Sequence, residues 1–134
     1  MNNVYLLDTN IITGVLKKDA NIVRRLNEAL KANALVVLSC VAFYEIKRGL
    51  LKKDVKKQLV FFEQLAQSLE WADLLRSDWD LAAQLWAVEA NQGRPLQDTD
   101  LLMATQARRL KAVVVTNNEK HFANLGATIE NWLL

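Results

Sequence analysis

Three short apolar runs separated by helical stretches constrain the fold of this chain more than any other feature. The runs are Val4–Leu7, the segment ALVVLS that begins at Ala34, and Ala112–Thr116. Wholly apolar strands are typical of parallel sheets whose two faces are both covered, because neither face of the strand meets water. The longest helical stretches lie near Asn21–Lys31, Asp54–Ser68 and Ser77–Asn91. We therefore predict an α/β fold with three layers, in which a central, mostly parallel sheet carries helices on both faces.

Length and composition narrow the class of protein. A chain of 134 residues with 51% hydrophobic content can bury the core of one domain, which we expect to span residues 1–134. The net charge of +2 is too small to predict a polyanionic partner unless cations cluster locally. Cys40 is the only cysteine and cannot form an internal disulfide. Because the N-terminus also lacks a long apolar segment, we expect a cytoplasmic protein that does not bind membranes.

Polar residues follow the first and the last of the predicted strands. Asp8 comes directly after Val4–Leu7, and Thr116 ends the late apolar run. Proteins with parallel sheets bind their ligands at the carboxyl ends of the strands, so we expect a binding site at this edge. Either Thr9 or Asn10 is expected to cap the helix that follows the first strand.

Two further carboxylates occupy apolar helix faces. Glu45 shares a face with small apolar residues if Ser39 caps its helix, and Asp100 begins an apolar stripe that continues through Met103 and Ala107. Carboxylates that point inward are costly unless they are paired or protonated, so three that converge predict a bound cation. Oxygen ligands without a histidine or cysteine cluster favour Mg²⁺ or Mn²⁺ over zinc.

A simpler interpretation of the three carboxylates remains open. Asp8 and Asp100 would then only stabilise helix N-termini electrostatically, and Glu45 would reach solvent or an arginine. The two interpretations differ in whether the three side chains meet.

Five sequence blocks occur in an order that resembles one protein family. They are LLDTNII, SCVAFYEIKRG, GRPLQDTDLLMATQA, VVVTNNEKHF and IENWLL. Together they resemble the PIN-domain ribonucleases, specifically the VapC-type toxins of VapBC toxin–antitoxin systems, over nearly the whole chain. The resemblance implies a PIN-like fold and a metal-dependent endoribonuclease that hydrolyses RNA with a metal-activated water. It also implies a cognate antitoxin protein and a homodimer.

The resemblance further assigns roles to individual residues. Asp8, Glu45 and Asp100 match the family's acidic metal site. Asp8 and Asp100 would be direct or water-mediated ligands, and Glu45 would be a ligand or the group that orients the attacking water. Supporting hydrogen bonds to a phosphate or a water would come from polar neighbours. These neighbours are Thr9, Asn10, Thr116 and Asn118.

This chain departs from the family pattern at two positions. Many relatives carry an aspartate where this chain has Asn118, and often another aspartate where it has His121. A site with four carboxylates is therefore not expected, and fewer tightly held ions follow. A single histidine beside Phe122 in a loop is more often structural than catalytic.

Asp98 and Asp100 are close enough in sequence to be confused. Asp98 follows the loop that contains Pro95, the only proline, and we expect its side chain to cap the next helix. The alternative is that Asp98 is an outer metal ligand that compensates for Asn118. Asp100 remains the expected inner ligand.

A basic segment follows Glu45 and has two interpretations. KRGLLKKDVKK either holds an RNA backbone near the metal site or forms a solvated helix face. Its candidate RNA-binding residues are Lys47, Arg48, Lys52 and Lys53. The tryptophans are expected to pack in the core or between subunits. They are Trp71, Trp79, Trp86 and Trp132.

Two alternative functions belong to other classes. A catalytically weak PIN-like module that binds RNA or protein is compatible with the missing fourth carboxylate. A phosphorylated signalling receiver shares acidic strand ends, but it normally needs a lysine at the end of a late strand, where this chain has Thr116 and two asparagines.

Overall fold

The predicted α/β fold is confirmed by a computed structural model, which describes residues 3–94 and 96–134. Its five strands form one parallel sheet. Two edge strands were not predicted, because each is only three residues long and partly exposed. Pro95, in the predicted loop, lies outside the described residues. The elements in chain order are β1 (Val4–Leu7), α1 (Thr9–Leu16), α2 (Ala20–Lys31), β2 (Leu35–Ser39), α3 (Cys40–Lys53), α4 (Lys56–Ser68), β3 (Glu70–Ala72), α5 (Arg76–Asn91), α6 (Asp98–Leu110), β4 (Val113–Val115), α7 (Glu119–Phe122) and β5 (Thr128–Glu130).

The strand order creates a crevice beside the first strand. The sheet runs β3-β2-β1-β4-β5, so the chain moves outward from β1 in one direction and then returns to β1's other side. Right-handed crossovers place the helices of the two halves on opposite faces of the sheet. Such a reversal of strand order leaves an open crevice at the carboxyl ends of the two central strands, here β1 and β4. Leu7 pairs with Val115 in this register, so the next residues, Asp8 and Thr116, lie side by side.

Helix boundaries correct one predicted cap and confirm another. Neither Thr9 nor Asn10 caps α1; Asp8 is the N-cap, and its side chain accepts a hydrogen bond from the Thr9 amide. An aspartate that ends a strand can serve as the cap because its backbone is still extended. Ser39 caps α3 as predicted. Asp54 ends that helix in the left-handed conformation, with φ 55°, so α4 begins at Lys56.

The core lies between the central strands and the helices that cover them. Leu6 and Leu7 of β1 and Val114 and Val115 of β4 are fully buried. Within the described ranges, every helix is too short or too polar to cross a membrane.

The tryptophans do not all lie in the core. Trp132 is buried against Tyr5, with 5.3 Å between the ring centroids. The other three are about half exposed, which corrects the prediction of core packing for them, because they sit on outward helix faces and an edge strand.

Candidate active site

Asp8 is held at the crevice by several neutral hydrogen-bond donors. Its side chain is buried at 2% exposure, and Oδ1 accepts from the Thr9 amide at 2.7 Å. Oδ2 accepts from Thr116 Oγ1 at 2.7 Å and from Asn10 Nδ2 at 3.0 Å. Thr116 Oγ1 in turn accepts from the Asn118 amide at 2.9 Å. The carboxylate is therefore fixed in position without a cationic partner among these contacts.

Glu45 reaches the same edge from the second turn of α3. Thr9 Oγ1 donates to Glu45 Oε1 at 2.9 Å, which links the start of α1 to α3. The buried residues of α3 include Ala42 and Ile46, so this helix turns its apolar face inward and presents Glu45 at the border of that face. Glu45 is half-buried.

Asp100 approaches from the first turn of α6 and is bonded to a histidine. His121 Nδ1 lies 2.8 Å from Asp100 Oδ2, and the ring nitrogen is the donor when the carboxylate is ionised. Burial raises the pKa of Asp100, and the charge of Asp8 raises it further; the hydrogen bond and charge of His121 lower it, and Glu45 raises it. The charges of both other carboxylates therefore act on Asp100.

These side chains line one cavity of about 540 Å³. Its lining includes Asp8, Glu45 and Asp100, together with Thr9, Asn10 and Asn118. Thr116 lies behind it, bonded to Asp8. The structure thus brings the candidate inner-site residues to one place. The donor set of carboxylate, hydroxyl and amide oxygens suits a hard divalent cation.

The three carboxylates are not arranged as a finished metal cage. In the described part of the chain, no three acidic, histidine or cysteine side chains have the geometry of a ready-made metal site. Each carboxylate instead has its own hydrogen-bond partner: Thr9 for Glu45, Thr116 for Asp8 and His121 for Asp100. Their chemistry nevertheless fits a hard divalent cation, because all three offer carboxylate oxygens to one cavity.

Asp98 does not join this cavity. The side chain is exposed and lines a separate apolar cavity beside Trp79 and Trp86. The prediction that Asp98 caps α6 is wrong, because Asp98 is the first helical residue and Gln97 occupies the N-cap position. A helix turns by about 100° per residue, so Asp98 and Asp100 point in very different directions.

The basic segment of α3 only partly faces the site. Lys47 is engaged elsewhere, because its Nζ pairs with Glu63 Oε1 at 2.8 Å. Arg48 lies over the Tyr44 ring, 4.8 Å from its centroid. Lys52 and Lys53 are exposed in the last turn of α3. On an ideal helix, Arg48 and Lys52 share a side with Glu45 at offsets of three and seven residues, whereas Lys47 does not.

Two contacts in the site were not anticipated from the sequence. Asn117 donates its amide to Asn10 Oδ1 at 3.0 Å, which ties the loop after β4 to α1. His121 contacts Asp100, although it was interpreted as structural. The available signal was the position of His121 in the block that also holds Thr116, but only the tertiary fold brings α7 to α6.

The fold and this acidic crevice define a nuclease-like α/β domain, and a family comparison agrees. The PIN domain model matches residues 5–127, and the chain belongs to the PIN domain family. This confirms the family resemblance and excludes the receiver alternative.

Individual relatives are similar over almost their full length. The chain is 29% identical to ribonuclease VapC1 of Haemophilus influenzae strain R2866, over 91% of this chain and 92% of that protein. It is 28% identical to the tRNA(fMet)-specific endonuclease VapC of Shigella flexneri, over 96% of this chain and 97% of that protein. The crystal structure of VapBC2 from Rickettsia felis bound to a promoter DNA fragment superposes with a TM-score of 0.85 at 28% identity, covering 96% of this chain and 98% of that chain.

Proposed function

We propose that this protein is a divalent-metal-dependent endoribonuclease of the VapC type, formed by one domain over residues 1–134, and the toxin of a toxin–antitoxin pair. The observation that carries the proposal is the meeting of three carboxylates, without an arginine partner, in the crevice between β1 and β4. Full-length similarity to proteins named ribonuclease and endonuclease supports the reaction class.

The contacts of the side chains suggest a different role for each of them in binding the metal ion and the RNA. Asp8, Glu45 and Asp100 would hold Mg²⁺ or Mn²⁺, which, when bound, supplies the activated water and stabilises charge on the phosphate oxygens. Thr116 and Asn10 keep Asp8 in one orientation through their hydrogen bonds to Oδ2. Repositioning of Glu45 would leave Thr9 Oγ1 available to donate to a phosphate oxygen. His121 orients Asp100 and partly offsets its charge.

The direct test is cleavage of RNA with and without Mg²⁺ or Mn²⁺. Asp8→Asn preserves the shape of the side chain and removes its charge, so it should abolish metal-dependent cleavage and the rise in melting temperature on adding metal. Asp80→Asn is the matched control, because Asp80 is an exposed carboxylate on α5. Equal cleavage by wild type and Asp8→Asn at limiting metal would refute the proposal, as would wild-type cleavage that persists in EDTA. A protein that binds RNA without cutting it would support the weak-module alternative.

A groove between α2 and α4 is the proposed binding site for the antitoxin. Its volume is about 830 Å³, and its apolar lining includes Leu26, Leu30, Phe61 and Leu65. It reaches the turn between α1 and α2, whose Lys17 and Asp19 line the acidic cavity on the other side. An amphipathic helix in this groove would lead a following segment toward the active site. Co-purification with the product of an adjacent reading frame, lost on Leu30→Lys, would support this assignment; retention of the complex would contradict it.

A homodimer is proposed through the outward face of α5. Trp79 and Trp86 are 54% and 50% exposed and lie seven residues apart, on the same side of the helix. Together with Leu102 they line an apolar cavity of about 530 Å³, a surface that favours association. Light scattering should give a dimer for the wild type and a monomer for Trp86→Lys. A monomeric wild type at micromolar concentration would contradict the dimer.

A further inference from the structure

A second cavity opens beside the acidic one and shares a wall with it. Gln97, Asp100 and His121 line both cavities. The second has a volume of about 350 Å³, within the range that accepts small ligands. Its remaining lining consists of Glu89, Arg94, Leu96, Lys120, Asn124 and Leu125. A strand of RNA whose phosphate lies at the carboxylates would have its next nucleotide at this opening.

The charges in the second cavity balance, unlike those in the acidic one. Glu89 is buried, at 4% exposure, and forms an ion pair with Arg94, whose Nη2 lies 3.1 Å from Glu89 Oε1. This hydrogen bond lowers the pKa of Glu89, so the carboxylate stays ionised beside the guanidinium. Lys120 and Asp100 also line this cavity, and their formal charges are opposite. A cavity with balanced charges favours a neutral ligand over another phosphate.

The uncharged lining suits a flat ring with polar edges. Leu96 and Leu125 provide apolar surface, and the amides of Gln97 and Asn124 can each donate and accept hydrogen bonds. RNA bases that are not paired combine an apolar face with such polar edges, and proteins read them by stacking and edge contacts.

The wall formed by Glu89 and Arg94 is fixed by a specific local structure. The Arg94 amide donates to the Glu89 carbonyl at 2.9 Å, and Gly93 adopts the left-handed conformation with φ 72°. The backbone and side-chain bonds between Glu89 and Arg94 therefore hold this wall in one place, which a site that discriminates between bases requires.

We infer that this second cavity is a base pocket that binds the base of a nucleotide adjacent to the scissile phosphate. The inference rests on the proposed ribonuclease function and adds a determinant of sequence preference. Asn124 reads the edge of the base, and Leu96 contacts its face.

The test uses short unpaired RNAs in which each position beside one cleavage site is varied in turn. Wild type should prefer one base at one adjacent position by about three- to tenfold, the range that a single hydrogen bond provides. Asn124→Ala should reduce that preference to less than about twofold by lowering cleavage of the preferred RNA toward that of the other three. Lys31→Ala, which removes an exposed lysine at the end of α2, is the control and should keep the preference.

Binding to uncleaved RNA gives a second readout. In an Asp8→Asn background, adding Asn124→Ala should weaken binding of the preferred RNA by about three- to tenfold and leave the other RNAs unchanged. Equal cleavage of all four bases by wild type would overturn the base pocket and leave the proposed ribonuclease standing. Unchanged preference in Asn124→Ala would also overturn it. Absence of any metal-dependent cleavage by wild type would overturn the ribonuclease proposal, and the base pocket with it.

Discussion

Two pairs of buried carboxylates in this protein have opposite surroundings. Asp78 and Glu89 are 2% and 4% exposed, and each is bonded to an arginine. Asp8 and Asp100 are 2% and 7% exposed, yet their partners are hydroxyls, amides and one histidine. Burial alone therefore does not distinguish the pairs, whereas the nature of the partner does.

Carboxylates that are paired with an arginine stabilise the fold, whereas carboxylates without a cationic partner are available to bind a ligand. Arg109 donates from Nε and Nη2 to the two oxygens of Asp78, at 2.9 and 3.0 Å, which joins α6 to α5. Among the residues that the structure describes, no lysine, arginine or histidine forms an ion pair with Asp8. Like charges that remain close in a buried site cost stability, and a bound metal ion would remove that cost.

The strongest test of the comparison replaces the two aspartates of the first turn of α6. Asp100→Asn should lower metal-dependent cleavage by about 100-fold or more and raise the metal concentration needed, because an inward ligand loses its charge. Asp98→Asn should leave activity within about twofold, since its side chain faces the cavity beside Trp79 and Trp86. Cleavage rate measured against Mg²⁺ concentration for both variants decides the matter. Equal losses would show a shared site, and a larger loss for Asp98→Asn would reverse the assignment.

Removal of a structural carboxylate should instead damage the fold. Asp78→Ala deletes the partner of Arg109 and the acceptor of the Leu75 amide, so it should destabilise the protein by about 2–3 kcal/mol. Cleavage per folded molecule should remain near wild type. Urea denaturation in EDTA measures the stability, with Asp80→Asn as the control for an exposed carboxylate of the same helix. A stable but inactive Asp78→Ala protein would contradict the proposal that Asp78 stabilises the fold and takes no part in cleavage.

Asp100 and Glu89, one carboxylate from each pair, should also respond to pH in opposite directions. The pKa of Asp100 is raised by burial and by Asp8, so the folded state binds its proton more tightly than the unfolded chain does. The contribution of protonated Asp100 to the free energy of unfolding is complete below the ordinary aspartate pKa, about 3.9. This contribution is lost as the pH rises through the higher pKa of the folded state. The pKa of Glu89 is lowered by Arg94, so its contribution is present above the ordinary value and is lost as the pH falls.

This difference predicts that a loss of charge at the site stabilises the metal-free protein. In EDTA at pH 7, Asp100→Asn should raise the melting temperature by roughly 2–4 °C, and the gain should disappear on acidification. Glu89→Gln should lower the melting temperature at pH 7 and matter less at low pH. Thermal melts of both variants between pH 3 and pH 7 provide the measurement. A metal-free Asp100→Asn protein that melts below wild type at pH 7 would contradict the repulsion between Asp8 and Asp100.

The smallest effects are expected in the basic segment of α3. Lys52→Ala should weaken RNA binding by about two- to threefold and reduce its salt dependence, because one phosphate contact is lost. Lys47→Ala should change binding less, since Lys47 pairs with Glu63. Titrations of RNA binding at several salt concentrations compare the two variants. Identical RNA affinity and salt dependence of Lys47→Ala and Lys52→Ala would indicate that the RNA does not contact Lys52.

Much of the fold was predictable from local sequence. The strands β1, β2 and β4 can be recognised from local sequence, because strands buried on both faces need apolar residues at nearly every position. Helices α2, α4 and α5 were predicted to within two residues from their apolar periodicity, whereas α7, which contains His121, was expected to be a loop because it is only four residues long. The edge strands β3 and β5 were missed, since three half-exposed residues carry too little pattern.

The sequence by itself determined that Asp8 ends an apolar run, that Glu45 shares a helix face with small apolar residues and that Asp100 begins an apolar stripe, and so selected these three carboxylates. Only the tertiary structure decided that Asp78 and Glu89 are paired with arginines, that His121 bonds Asp100, and that Asp98 faces away. The reason is physical: burial patterns follow the local helix or strand period, but the partners of Asp78 and Asp100 come from distant segments. The partner of Asp8, Thr116, is likewise set by the strand order and register that place β4 beside β1.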